Sequence, residues 1–123
     1  MTIIAMHWVA DFVLQTDWQA KNKSKDNFAL LFHVLTYTIC IFVCAIFFLA
    51  NELTLQNIKI WEVWALANGV IHFGVDYVTS RINTYLWSKG RVGRVHDFFV
   101  MVGFDQVIHY ACLFGSLAFI GVM

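Results

Sequence analysis

Three observations predict an all-α protein, a four-helix antiparallel bundle that crosses a membrane. First, 60% of the 123 residues are hydrophobic and mean hydropathy is +0.68, above the roughly 45–50% apolar usage of soluble proteins. Second, the apolar residues fall in long runs. The clearest is Phe98 to Met123, in which Asp105 and His109 are the only acidic or imidazole side chains; at about 1.5 Å per residue it is long enough for a ~30 Å hydrocarbon layer. Third, the runs are separated by short polar stretches, the connections of neighbouring antiparallel helices.

Taken in order, the spans are expected over residues 1–15, 28–50, 60–86 and 98–123, forming a single membrane domain. The first is short and carries His7 and Asp11, so its insertion depends on cover from its neighbours. It lacks the basic start and small-residue cleavage site of a signal peptide and is expected to be retained. The stretch DWQAKNKSKDN comes next as a polar connection, with Asp26 or Asn27 as N-cap of the second span. That span has His33 as its sole imidazole and no formal charge. The third carries His72, Asp76 and Arg81, with Trp61, Trp64, Tyr85 and Trp87 near its ends, where an aromatic belt belongs. SKGRVGRVHD, with two glycines, turns the chain into the fourth. His96 and Asp97 read as the start of that helix.

Charge sets orientation. Lys21, Lys23 and Lys25 in the first loop, and Lys89, Arg91 and Arg94 in the third, contrast with a middle loop holding Glu52 and Lys59. The positive-inside rule places loops 16–27 and 87–97 in the cytoplasm and both termini outside the inner membrane. A formal charge of zero offers no field for nucleic acid. Cys40, Cys44 and Cys112 lie in apolar runs and read as small buried hydrophobes without a disulfide.

Ionisable groups inside a bilayer need partners or a task. His7 with Asp11, His72 with Asp76, and Asp105 with His109 are each four residues apart, on one face of a helix. Helices one and three read His then Asp and helix four reads Asp then His, so antiparallel packing puts every Asp one turn nearer the same side. His33 falls at the same depth. Imidazole and carboxylate together suit Zn2+, with iron or manganese also served, and the absence of thiolate argues against a closed structural zinc site. The expected metal ligands are His7, Asp11, His33, His72, Asp76, Asp105 and His109, enough for one ion with spare groups or for two ions. Asp11, Asp76 and Asp105 are the candidates for acid–base catalysis, and Gln15, Arg81, Arg91 and Arg94 for substrate contact. Gln106 is a candidate to support the ligands.

The segments HWVADFVLQTDWQAKNKSKDN, FHVLTYT, IHFGVDYVTSRIN and FFVMVGFDQVIHY resemble a family of small integral membrane proteins of bacteria and their phages, domain of unknown function 3307. The His-x-x-x-Asp-Phe-x-x-Gln opening and the Asp-Gln-x-x-His close carry the likeness over nearly the whole chain. The resemblance implies a four-helix inner-membrane protein whose shared polar positions are His7, Asp11, Gln15, His33, His72, Asp76, Asp105, Gln106 and His109.

The function these residues predict is a membrane-embedded zinc hydrolase acting on a lipid or lipid-linked substrate at the cytoplasmic leaflet, with the basic loops attracting an anionic headgroup. Two other readings use the same groups: a proton or metal-ion conductor, for which copies of the chain assemble into a homo-oligomer, and a phage accessory protein that binds a host membrane complex and is braced by a structural metal.

Overall fold

The computed structural model describes residues 2–89 and 94–122, the side chain of Arg94 excepted. Among these residues the protein is all-α. Helix α1 (Thr2–Trp8) runs on into a π-helical turn (Val9–Val13); α2 (Asp17–Asn22), α3 (Asn27–Phe48), α4 (Leu55–Ser88) and α5 (Arg94–Phe119) come after it.

Local chemistry sets the boundaries. Thr16 Oγ1 accepts from Gln19 N while Gln19 Oε1 accepts from Thr16 N at 2.8 Å, a reciprocal cap that starts α2 inside the stretch expected to be a loop. Asp26 caps α3 by accepting from Phe28 N at 2.8 Å, as the sequence predicts. Thr54 caps α4 by accepting from Asn57 N, so this helix begins before the expected residue 60. His96 and Asp97 are exposed in the first turn of α5.

The three long helices are antiparallel neighbours in the order α3, α4, α5. Thr38 faces Gly69 across the first pair, and His33 faces His72. Across the second pair Ser116 meets Trp64 and Asn68 at one end, while Phe98 meets Trp87 at the other. Helix α1 and its π turn lie against α3, with α1 also touching α5. One apolar cluster, including Met6, Tyr37, Ile41, Trp61, Trp64 and Leu117, fills one half of the interior. Trp61 and Trp64 are therefore core residues, not belt residues: both are buried, and the Trp64 indole donates to Ser116 Oγ at 2.9 Å. Tyr85 and Trp87 do lie exposed.

Two helices, Asn27–Phe48 and Val95–Phe119, are long and apolar enough to cross a membrane. The other two expected spans fall short for different reasons. Thr2–Val13 has seven α-helical and five π-helical residues, at most about 18 Å of rise. Helix α4 has 34 residues, but Lys59, Glu62, Asp76 and Arg81 dilute its apolar character. The outward surface is nonetheless strongly apolar: Phe28, Phe47, Val70, Leu55 and Phe119 are each more than 70% exposed. The inside carries three acids, Asp11, Asp76 and Asp105, and four imidazoles, His7, His33, His72 and His109.

Candidate metal centre

Each helix delivers its polar residues inward for a local reason. His33 lies between Leu30 and Val34 on the buried face of α3, His72 and Asp76 continue from Asn68 at helical spacing on α4, and Asp105 and His109 lead on to Leu113 on α5. In the first segment the π turn, closed by Leu14 N donating to Val9 O at 3.0 Å, buries both Ala10 and Asp11. A π turn adds a residue to the helical repeat and rotates the side chains beyond it, and such turns concentrate at functional sites.

All seven expected ligands are buried within this one layer. For Asp11, His72, Asp76 and His109 the closest partners are not the ones four residues away. The intrahelical contacts are 3.6 Å for His7 and Asp11, 3.7 Å for His72 and Asp76, and 3.5 Å for His109 and Asp105. Contacts between helices are shorter. His33 Nε2 stands 3.0 Å from Asp11 Oδ1, 3.2 Å from His72 Nε2 and 3.3 Å from Asp76 Oδ2. His72 Nε2 is 3.4 Å from Asp11 Oδ1, and His109 Nε2 is 3.2 Å from Asp76 Oδ1.

Four of these atoms define a site. His33 Nε2, His72 Nε2, Asp11 Oδ1 and Asp76 Oδ2 come from three chain segments, and five of their six separations span 3.0 to 3.7 Å. Ligands bonded at about 2.0–2.1 Å to a tetrahedral ion stand about 3.3–3.4 Å apart. Hydrogen bonding explains the arrangement less well. An imidazole Nε2 offers one proton or one lone pair, whereas His33 Nε2 has four polar neighbours, the fourth being Lys23 Nζ at 3.4 Å. The group Asp11, His33, His72 and Asp76 could hold a metal ion, and Asp11, Asp105 and His109 form a second group that shares Asp11.

Stacking holds the His72 ring. Nδ1 of His33 and Nδ1 of His72 have no hydrogen-bond partner among the described residues, but Tyr37 lies flat on His72 at 3.8 Å between ring centroids. His109 flanks the same ring at 4.2 Å.

His7 plays another part. The Gln106 amide donates to Asp11 Oδ2 at 3.2 Å and to Asp105 Oδ2 at 3.1 Å. That fixes its oxygen toward His7 Nε2 at 2.9 Å, because the reversed amide would set oxygen against two carboxylates. His7 Nε2 therefore carries the proton, and Nδ1 faces the Tyr37 hydroxyl at 3.4 Å. Gln106 thereby links the His7 ring to the Asp11 and Asp105 carboxylates.

Of the expected substrate contacts, Arg81 is engaged elsewhere: it donates to Tyr77 O and to Asn27 Oδ1, both at 2.8 Å, and lies over the Tyr77 ring. Gln15 makes no hydrogen bond to the centre and its Oε1 is buried without a partner among the described residues. Arg91 and the side chain of Arg94 lie outside the described residues.

Lys23, read in the sequence only as one of the loop charges that attract an anionic headgroup, also reaches the centre. It sits just past the end of α2 and inserts Nζ 2.8 Å from Asp76 Oδ2. The signal was the Thr16–Gln19 capping spacing, which marks a helix able to turn one lysine of the run inward. With neutral imidazoles, Lys23 against Asp11, Asp76 and Asp105 leaves two negative charges, the charge of one divalent cation. Asp105 Oδ1, buried and without a hydrogen-bond partner among the described residues, lies in the same layer.

The family described as protein of unknown function, DUF3307, matches residues 1–121, and the chain belongs to it. Neither the curated proteins nor the solved structures contain a match.

Proposed function

For a member of this family with this buried convergence, we propose a membrane-embedded metal-dependent hydrolase that takes one Zn2+ ion on His33, His72, Asp11 and Asp76 and acts on a lipid or lipid-linked substrate. The observation that carries the reading is the convergence of those four ligand atoms, from three separate chain segments, with five of their six separations between 3.0 and 3.7 Å. The apolar outer surface supports placement of all four main helical segments in the inner membrane, with α1 shielded by α3 and α5, and the lysines and arginines of loops 16–27 and 87–97 support a cytoplasmic position for those loops with both termini outside. A divalent ion at such a site polarises a substrate oxygen and lowers the pKa of water toward neutrality. The protein's own groups supply the rest. His7 and Gln106 hold Asp11 and Asp105 in place, and Asp105 with His109 forms the pair left free to accept and release a proton. Lys23 places a positive charge where an anionic group would approach.

The test is metal analysis of the full-length chain purified in mild detergent, with hydrolysis of lipid extracts as a second readout. About one equivalent of zinc is expected, lost in His33→Ala and His72→Ala. A metal-free protein that stays folded and hydrolyses lipid at the full rate would overturn the reading.

One observation favours a second function. His7, Gln106, Asp105, His109, Asp76 and Lys23 form a continuous polar chain with consecutive contacts of 2.8 to 3.5 Å, as a proton or metal-ion conductor would need. Flux into proteoliposomes that depends on Asp76 and Asp105, without lipid turnover, would select it.

A further inference from the structure

A cavity of about 570 Å³ opens beside the centre, between the Lys21–Lys25 segment, the last turns of α4 and the start of α5. One end is basic and polar, with Lys21, Lys23, Lys25, Ser80 and Asn83; the other is aromatic, with Trp87, Phe98 and Phe99. Among the described residues, no acidic side chain lines it. Ser80 Oγ and Asn83 Oδ1 are buried yet have no hydrogen-bond partner among the described residues, and their three-residue spacing puts them on one face of α4. Buried polar atoms without partners are rare and call for one. Lys23 lines this cavity and also touches Asp76, so the cavity wall is continuous with the metal-ligand cluster.

We infer that this cavity is a subsite for the phosphate headgroup of an anionic lipid. Lys21 and Lys25 supply charge, and Ser80 Oγ donates to a phosphate oxygen. Asn83 does the same once its amide is turned over to present Nδ2, an exchange that leaves its shape unchanged. Trp87, Phe98 and Phe99 cover the first part of the acyl chain. The aromatic end decides for a lipid-borne phosphate over free phosphate, which has nothing to place there. Such a subsite defines the substrate class of the proposed hydrolase and rests on that reading only for its link to catalysis; binding itself needs no metal.

The experiment is fluorescence quenching of the full-length chain in phosphatidylcholine nanodiscs containing phosphatidic acid brominated on its acyl chain, with chelator present. Brominated phosphatidic acid is expected to quench more than brominated phosphatidylcholine at equal mole fraction, and the excess disappears in Trp87→Phe. Replacing the exposed Lys21 and Lys25 with Ala weakens binding of phosphatidic acid roughly 25-fold, about fivefold per lysine near an anionic surface. Ser80→Val, a separate change on α4, weakens it further. Equal quenching by the two lipids, an excess that survives the lysine replacements, or complete displacement by millimolar inorganic phosphate would each overturn the inference. Zinc content measured on the same preparation before chelator is added separates the outcomes: selective lipid binding by a chain that purifies without zinc leaves the subsite standing and removes the hydrolase.

Discussion

Gly69→Ala offers the sharpest test of how packing builds the centre. Gly69 on α4 faces Thr38 on α3, and a Cβ placed there would overlap Thr38 Oγ1 and come within 3.3 Å of Thr38 Cβ and 3.4 Å of Cγ2. The hydroxyl yields only by giving up its bond to Val34 O at 2.8 Å, and the Thr38 Cβ contact at 3.3 Å remains in any rotamer. The helices must part by several tenths of an ångström. Overpacking of this kind costs about 1–3 kcal/mol. Its effect reaches the ligands, because Gly69 is one turn from His72 and Thr38 little more than one turn from His33, whose ring nitrogens stand 3.2 Å apart across the same seam. Unfolding of the parent, Gly69→Ala, Thr38→Ala and the double variant in detergent, with zinc affinity by chelator competition, forms a double-mutant cycle. Gly69→Ala should lose about 1–3 kcal/mol and bind zinc more weakly; the double variant should recover at least about 1 kcal/mol as coupling. A Gly69→Ala protein as stable as the parent, with unchanged zinc affinity, would refute the claim that close approach of α3 and α4 sets the site.

Lys23→Met removes a positive charge 2.8 Å from Asp76 Oδ2, so zinc should bind at least about 10-fold more tightly, a share of the ~4 kcal/mol that a unit charge exerts at 4 Å in an effective dielectric near 20; equal affinities would show that the lysine does not compete with a cation. Gln106→Ala frees His7 and leaves Asp11 and Asp105 without their amide donor, and should weaken zinc binding about 10–100-fold, seen in the same competition assay. Ser116→Ala strands the Trp64 indole N–H and takes the hydroxyl donor from Asn68 Oδ1 in the opposite half of the bundle, while Asn68 Nδ2 keeps its bond to Trp64 O. It should cost about 1–3 kcal/mol in unfolding while zinc content stays at the parent level.

The sequence by itself determined the helical class, the long runs and the inward seven. Period-four placement of His7 with Asp11, His72 with Asp76, and Asp105 with His109 needs only the helix repeat to put each pair on one face, and the need of acids within apolar runs for polar partners follows from the cost of leaving them in apolar surroundings. His33 was legible through depth, since two antiparallel helices of known rise fix its level. What it could not show was who meets whom. Asp76 finds His109, His33 and Lys23 closer than its own helical partner His72, because a side chain four residues away is held at arm's length while one from the facing helix points straight in. The π turn that aims Asp11, the insertion of Lys23 from a basic stretch, the burial of Trp61 and Trp64 in the core and the unpartnered polar atoms of Ser80 and Asn83 all depend on contacts between distant segments. Spacing along one helix carries no record of these, and only the packed tertiary structure decides them.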